Sequence, residues 1–223
     1  MRFLVLAFMV CPALCAAQAG APAAKPEVKA KAAQKPAPGP VTTPEVKVDD
    51  RWVYRRTDKR MKPPTLVYEI RVSFVDARVI HTVVERQGGQ RDSDATWTRE
   101  WNSVVAVDEG VVEIDKPMLQ FPLAVGRQYP AAWVMRRPRA GGFEVKHQRT
   151  VKVVGWEDLE VPAGRFRAVK IEATGGFQRV DKPLTGQARN TYWYVPQVKR
   201  WVKTTYTDGE LVIDEELYFY RVQ

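Results

Sequence analysis

The stretch TLVYEIRVSFVD, residues 65–76, decides the fold class of this 223-residue chain. Every second residue in it is large and apolar, and most of the residues between are polar or charged. Such period-two alternation is typical of a β-strand with one buried and one solvated face. We expect the buried face to carry Leu66, Tyr68, Ile70, Val72 and Phe74.

The same alternation recurs along the chain, and glycine or proline turns separate many of the runs. The pattern predicts strands at 65–76, 78–87, 95–101, 103–107, 128–137, 143–155, 165–178, 187–195, 198–207 and 210–222. No amphipathic segment is long enough for the crossover helices that a parallel sheet needs. The sequence therefore predicts an all-β domain, a single antiparallel curved sheet of about ten strands that forms a half-barrel or a barrel.

A proline–glycine turn lies in LEVPAGRFRAVKIEATGG, residues 159–176. Proline and glycine occupy the second and fourth positions of Val161–Pro162–Ala163–Gly164, as a β-turn favours. The alternation changes phase after this turn, which predicts a β-bulge near 167–169 that would help the sheet to curl. Gly175–Gly176 is expected to mark another turn. We interpret the whole segment as architecture rather than as a functional site.

The start of the chain indicates export. A short positive start, an apolar run and the small residues of Ala17–Gln18–Ala19 predict a secretory signal peptide, with an uncleaved anchor as the alternative. Cys11 and Cys15 follow large residues, so lipid attachment is not favoured, and we expect a periplasmic or secreted protein. The predicted organisation is a signal peptide at 1–19, a disordered linker rich in alanine, proline and lysine at 20–47, and the β domain at 48–223.

Composition excludes several chemistries. Both cysteines lie inside the predicted signal, so the mature protein has no disulfide, thiolate metal site or cysteine nucleophile. The formal net charge is +9, and five of the lysines lie in the linker. That linker would be attracted to anionic lipid or wall polymer, unless its lysines serve only to keep it solvated.

No residue pattern predicts a catalytic, cofactor-binding or metal site. His81 and His147 are far apart in sequence and lack metal-ligand spacing. Ser73, Ser93 and Ser103 lie outside the known nucleophile motifs. Carboxylates leave one enzymatic alternative, a hydrolase that uses two acidic groups across a cleft. Its candidates are Glu157, Asp158 and Glu160 before the proline turn, and Asp214, Glu215 and Glu216 in the last strand.

Aromatic residues interleaved with basic ones are the more conspicuous feature. The candidate ligand- or partner-contacting residues are Trp133, Arg136, Arg137, Trp193 and Trp201. Such residues can bind an anionic glycan or lipid head group, and export argues against nucleic acid. The alternative is that the tryptophans fill the core while the arginines face solvent. Neighbours such as Arg200 and Trp201 should point to opposite faces of a strand and not touch.

Two longer segments carry a resemblance to a known group. VVGWEDLEVPAGRFRAVKIEATG (153–175) is followed by TYWYVPQVKRWVKTTY (191–206), and VKVDDRWVYRRTD (46–58) and FPLAVGRQYPAAW (121–133) resemble two earlier elements of that group. Together they resemble the DUF3108-like class of uncharacterised bacterial envelope proteins. The resemblance implies a curved half-barrel like that of periplasmic lipoprotein carriers, and it implies no catalytic residues.

The functional prediction is an exported, non-catalytic binding or carrier module for an apolar or anionic envelope ligand. Its expected partners are a lipid, an anionic envelope polymer or an envelope protein, without nucleic acid, cofactor or metal. A structural component of an envelope complex and the carboxylate-dependent hydrolase remain as alternatives.

Overall fold

Twelve β-strands account for most of the fold in the computed structural model, which describes residues 39–86, 89–108, 111–137, 142–209 and 211–223. The predicted signal peptide and linker residues 20–38 lie outside the described residues. The strands are β1 (Arg51–Asp58), β2 (Thr65–Val75), β3 (Val79–Arg86), β4 (Gln90–Thr98), β5 (Ser103–Asp108), β6 (Val111–Lys116), β7 (Gln128–Arg137), β8 (Phe143–Val161), β9 (Gly164–Arg179), β10 (Thr185–Val195), β11 (Arg200–Thr207) and β12 (Val212–Arg221). A 3₁₀ turn, Pro196–Val198, joins β10 to β11. Among the described residues, no helix has the length and hydrophobicity of a membrane span.

The strands form a closed antiparallel barrel. Each strand pairs with its neighbours in sequence, and β12 pairs back onto β1. The prediction of an all-β antiparallel sheet is confirmed, with twelve described strands in place of about ten. The two additional strands are β1, whose arginines obscure its alternation, and β6, which has only six residues.

The β8–β9 hairpin corrects the predicted bulge. The Val161–Gly164 turn forms as expected, but the register shift lies on β8, between Val153 and Gly155, and not at 167–169. Ala168 and Val169 are both buried. The turn lies against β12, where the Ala163 N–H donates to the Leu217 carbonyl (3.0 Å). Two adjacent residues of β9 are therefore buried, which explains the mixed phase of the sequence, while Arg165 and Arg167 nearer the tip are exposed.

A second register shift changes the face of one predicted core residue. The shift lies between Val72 and Phe74, where β2 pairs with β3. Val72 is fully buried, whereas Phe74 is 48% exposed and packs against His81, at a ring distance of 5.4 Å. The prediction that Phe74 shares the buried face of β2 is therefore wrong, because a bulge reverses side-chain direction.

Tryptophan side chains fill the lower part of the barrel. Twelve strands enclose a wider lumen than the eight-stranded barrels that ordinary side chains fill. Trp52 is fully buried, and its ring meets that of Trp101 edge to face at 5.3 Å. The Trp101 Nε1 atom donates to the Lys199 carbonyl (2.7 Å), which joins the β4–β5 turn to the β10–β11 turn across the lumen. The end of the barrel that holds these two turns is called the base below.

The segment at 39–50 packs across the base. Val41 exchanges both of its backbone hydrogen bonds with Leu123, and Val46 is buried. Asp50 is fully buried, and its carboxylate accepts hydrogen bonds from the Lys47 N–H (2.9 Å), the Gln223 N–H (2.8 Å) and the Lys199 ammonium (3.2 Å). Residues 39–47, which the sequence assigns to the linker, therefore lie against the barrel.

A row of charged and aromatic side chains crosses five strands on the outer face. Lys170, Trp193, Lys203, Glu216 and Arg55 occupy paired positions on β9, β10, β11, β12 and β1. The carboxylate of Glu216 accepts hydrogen bonds from the Arg55 Nη2 atom and the Lys203 Nζ atom, both at 3.0 Å. Burial raises the pKa of Glu216, but these hydrogen bonds outweigh burial, and the net pKa is lowered.

This lowered pKa predicts an acid-dependent stability contribution. A carboxyl whose pKa is lower in the folded state stabilises the fold above its unfolded pKa of about 4.3, and the contribution is lost as the pH falls through the folded pKa. Glu216→Gln should therefore cost about 1 kcal/mol or less at pH 7, and this cost should shrink below about pH 4. Urea denaturation of both proteins between pH 3 and 8 measures it. A difference that grows toward low pH would contradict the assignment.

Candidate functional site

The barrel interior contains two of the five candidate contact residues. Trp133 and Trp201 are buried. Arg136 is exposed and pairs with Glu144 (2.6 Å), and Arg137 is exposed, 5.9 Å from the Phe143 ring. Trp193 belongs to the outer row, where its Nε1 atom donates to the carboxylate of Glu157 (3.1 Å). The structure therefore does not bring these five residues together. Whether the interior holds a binding site depends on other residues as well.

Arg200 lies at the centre of the lower interior and is 1% exposed. Its guanidinium carbon lies 4.0–5.5 Å from the ring centroids of four tryptophans, Trp52, Trp97, Trp101 and Trp201, which we call the Arg200 cage. Desolvated cation–π contacts contribute about 2 kcal/mol each. In the described part of the chain, the Nε and Nη1 atoms of Arg200 have no hydrogen-bond partner. Indole faces therefore supply most of the surroundings of this buried charge.

This contact contradicts the expectation that Arg200 and Trp201 do not touch. Lys199 adopts a left-handed conformation (φ 60°), and the pairing of β10 with β11 shifts register between Trp193 and Tyr194. Strict alternation does not hold at such an irregularity, so both side chains can be buried together. These two residues, adjacent in sequence, therefore also contact each other in the folded protein.

Tyrosines and one carboxylate surround the cage. The hydroxyl of Tyr54 donates to the Trp201 carbonyl (2.6 Å), and that of Tyr68 donates to Glu215, which also accepts from Trp201 Nε1 (3.3 Å). Burial raises the pKa of Tyr54 and of Tyr68, the latter helped by the charge of Glu215. Burial lowers the pKa of Arg200. Because four indole rings pack around this guanidinium, we assign the Arg200 cage to the structural core.

A second buried arginine has different surroundings. Arg149 is 3% exposed, and its guanidinium carbon lies 5.3 Å from the Trp133 ring, on which His147 stacks at 4.6 Å. Lys116 approaches the same indole, with its Nζ atom 5.4 Å from the ring centroid. These four residues, Lys116, Trp133, His147 and Arg149, are called the Arg149 cluster. The cluster thus places two cationic side chains on one buried indole ring.

The Arg149 guanidinium is held by neutral groups. Its Nη1 atom donates to the carbonyls of Gly176 and Gln148, and its Nη2 atom lies 3.3 Å from His147 Nδ1. Its Nε atom has no hydrogen-bond partner among the described residues, and no carboxylate there forms an ion pair with it. Burial lowers its pKa, opposed by Tyr206 and Tyr192. A buried guanidinium without a counter-anion is costly, so an anion bound beside it would be strongly favoured.

One of two neighbouring glycines lets β9 approach Arg149 closely. Gly175–Gly176 lies inside β9 and does not form the turn that the sequence suggested. Gly175 has φ +155°, and a Cβ atom there would lie 2.4 Å from the Gln148 carbonyl oxygen. Glycine within a strand often marks such a close backbone approach. The missing side chain at Gly175 therefore lets β9 lie close to Arg149, whose Nη1 atom donates to the Gly176 carbonyl.

The chemistry-bearing residues of the sequence lie apart. His81 is on the outer face with Thr96 Oγ1 at 3.1 Å from its Nδ1 atom, whereas His147 is inside the barrel. Glu157 pairs with Lys170 (3.4 Å) on the outer row, and Glu215 faces the interior. Among the described residues, no cluster of three or more metal-ligating side chains occurs. The arrangement supplies no pair of facing carboxylates across a cleft from these residues.

Two hollows lie near these clusters. A groove of about 770 Å³ at the base runs between residues 39–47 and Trp156, Tyr194 and Lys199. A smaller cavity of about 90 Å³ lies inside the barrel, between the Arg200 cage and Lys116. The groove is bordered mostly by the 39–47 segment, whereas the interior cavity is bordered by three indole rings, the buried Ser103 and the half-buried Lys116. The interior is therefore the stronger candidate site.

Sequence reasoning missed Arg149, although a signal was present. In FEVKHQRTVKVV (143–154) the odd positions are apolar or aromatic except for Arg149, which shares the phase of Val145 and Val151. A charged residue at a buried position of a strand is rare unless its charge is paired. The glycine pair at 175–176 in a long alternating run was the second signal.

Comparisons with known proteins establish the fold and nothing finer. No family model matches the chain, and no curated protein matches it significantly. The resemblance to DUF3108-like proteins therefore stays an expectation. Solved structures do share the architecture. A protein of Parabacteroides distasonis, provisionally described as a lipoprotein, superposes with a TM-score of 0.56 at 14% identity, covering 81% of this chain and 99% of that one.

Two further solved structures match more weakly. An exported protein with a YmcC-like fold from Bacteroides fragilis has a TM-score of 0.42 at 14% identity, covering 82% of this chain and 99% of its own. The hypothetical lipoprotein YmcC of Escherichia coli has a TM-score of 0.49 at 8% identity, covering 78% and 86%. At these identities a likeness concerns the fold, and the two weaker matches carry no argument.

The close approach at Gly175 predicts a large difference between two strand glycines. Gly175→Ala should lower the free energy of unfolding by about 2 kcal/mol or more, because its Cβ atom collides with backbone at a strained φ. Gly155→Ala in β8 is the matched control, since a Cβ atom there meets nothing within 4 Å, and it should change stability by about 0.5 kcal/mol or less. Urea denaturation measures both. Equal effects would contradict the close approach.

Proposed function

We propose that the protein is an exported, non-catalytic binding module, and that its ligand presents an anionic group to the Arg149 cluster. The observation that carries the proposal is the buried guanidinium of Arg149, which has an unpartnered Nε atom and no carboxylate counter-ion among the described residues. Lys116 places a second cationic group 5.4 Å from the centroid of the same indole ring. An anion would remove part of the cost of burying the Arg149 charge, and the indole would contact whatever is attached to that anion.

The size of the interior cavity narrows the ligand class. Pockets for drug-sized ligands usually measure about 300–1,000 Å³, whereas the cavity beside Lys116 measures about 90 Å³. An acyl chain would not fit within that volume, but a small anionic group would. Lys116 is the member of the Arg149 cluster that lines this cavity, and the cavity's size favours the anionic one of the two ligand types that the sequence suggested over the apolar one.

Export is supported by two independent features. The first 19 residues have the composition of a secretory signal peptide. The Parabacteroides distasonis protein that shares the fold is provisionally described as a lipoprotein. Both are compatible with a location in the cell envelope, where anionic lipids and polymers are abundant partners for a basic site.

Titration of the purified protein with three anions tests the proposed function. The probes are inorganic phosphate, sodium propionate and deep-rough lipopolysaccharide, and binding is measured by tryptophan fluorescence and calorimetry at constant ionic strength. At least one probe should bind, and Arg149→Met should weaken it about tenfold or more, because a hydrogen bond to a charged group is lost.

Arg136→Met is the matched control for this experiment. Arg136 lies on β7 and is exposed in its pair with Glu144, so its loss should leave affinity unchanged. Binding that is equal in the two variants, or no binding of any of the three anions, would contradict the proposal.

A further inference from the structure

The 90 Å³ cavity has one polar wall. Ser103 and Lys116 are direct cross-strand partners on β5 and β6, and Trp97 pairs with Ser103 from the other side. Directly opposite residues of an antiparallel pair place their Cβ atoms about 4.5–5.5 Å apart on the same face. Both side chains line the cavity, with Trp97 beside Ser103 and the Trp133 ring 5.4 Å from the Lys116 Nζ atom.

Ser103 presents a buried hydroxyl that nothing in the described chain satisfies. The residue is 3% exposed, and its Oγ atom has no hydrogen-bond partner. An unsatisfied buried hydroxyl costs about 1–3 kcal/mol, and native structures rarely leave one without a reason. Since Ser103 lines the cavity together with Lys116, its hydroxyl is available to a group bound there.

Most of the remaining lining is apolar surface, apart from the phenol of Tyr192, whose ring packs against Trp201 at 5.7 Å. The indole N–H groups of the three bordering tryptophans are already used: Trp97 donates to Thr82 Oγ1 (2.9 Å), Trp101 to the Lys199 carbonyl (2.7 Å) and Trp201 to Glu215 (3.3 Å). These rings therefore border the cavity mainly as apolar surface. Met118 and Leu119, both buried, add further apolar surface.

We propose that this cavity binds a short-chain carboxylate, of the size of acetate or propionate. One hydroxyl and one ammonium group supply two donors for the two carboxylate oxygens, and the alkyl end would contact indole and aliphatic surface. Phosphate would present more oxygen acceptors than this wall has donors, and most of them would face apolar groups at a desolvation cost. The inference rests on the proposed function, because it specifies which anion binds and places its binding position next to the Arg149 cluster.

Calorimetric titration with sodium acetate, propionate and phosphate tests the inference. Propionate should bind the wild-type protein more tightly than phosphate does. Lys116→Met should weaken propionate binding about tenfold or more, and Ser103→Ala about threefold to tenfold, which corresponds to the loss of one hydrogen bond. Ser103→Val, which places extra methyl groups in the cavity, should abolish binding.

Thermal unfolding without ligand separates a ligand-binding hydroxyl from a structural one. Ser103→Ala should leave Tm unchanged or raise it, because the hydroxyl has no partner to lose in the folded protein. Ser73→Ala is the matched control: Ser73 is an exposed serine whose Oγ atom donates to the His81 carbonyl (3.3 Å), and its loss should not affect propionate binding.

Each outcome of these titrations decides one of the two proposals. If propionate does not bind, or binds Ser103→Val as well as wild type, the cavity is only hydrated and the inference is overturned. If phosphate or lipopolysaccharide still binds in an Arg149-dependent manner, the proposed function stands without it. If no anion binds, both are overturned.

Discussion

The lumen of a twelve-stranded barrel has to be filled, and the rest of this structure depends on how that is done. Tryptophan is the largest side chain available, and five of the seven in this chain contribute to the interior, namely Trp52, Trp97, Trp101, Trp133 and Trp201. Their contacts join opposite walls, as with the Trp101 bond to Lys199. The twelve strands contain no cysteines that could join them covalently, so packing carries this task.

Filling a lumen with indole also creates an environment for buried cations. Arg200 is surrounded by four ring faces, and Arg149 by one ring, a histidine and two carbonyl groups. This difference separates the two arginines in our account. Both guanidinium groups keep nitrogen atoms without a hydrogen-bond partner among the described residues, and what distinguishes them is the number of indole rings, four around Arg200 and one beside Arg149. The same tryptophan packing thus borders both the base of the barrel and the cavity that we propose for a small anion.

The sequence predicts the strands better than it predicts which side chains meet. The alternation in TLVYEIRVSFVD, which recurs along the chain, was sufficient to predict the all-β antiparallel class, because a period of two is typical of a half-buried strand. It failed at irregularities, where Phe74 turns outward and Arg200 contacts Trp201. Bulges depend on pairing with a neighbouring strand, and one chain segment read alone does not reveal its partner's register.

The candidate site was predicted only in part, for a related reason. Trp133 and Trp201 were identified from their basic neighbours, but the relevant cations are Arg149 and Lys116, which come from other strands. Closing the barrel brings these residues together, so their proximity depends on a pairing order that composition does not contain. Gly175 was misjudged because a strand glycine and a turn glycine look alike without the neighbouring strand.

The central claim is that indole packing across the lumen holds the barrel together, and replacing Trp52 tests it most directly. Trp52 is fully buried and donates its N–H to the Val198 carbonyl (2.8 Å). Trp52→Ala should lower the free energy of unfolding by about 3–5 kcal/mol in urea denaturation, whereas Trp193→Ala on the outer row should cost less than half as much. A loss below about 1 kcal/mol for Trp52→Ala, or equal losses for the two variants, would contradict the account.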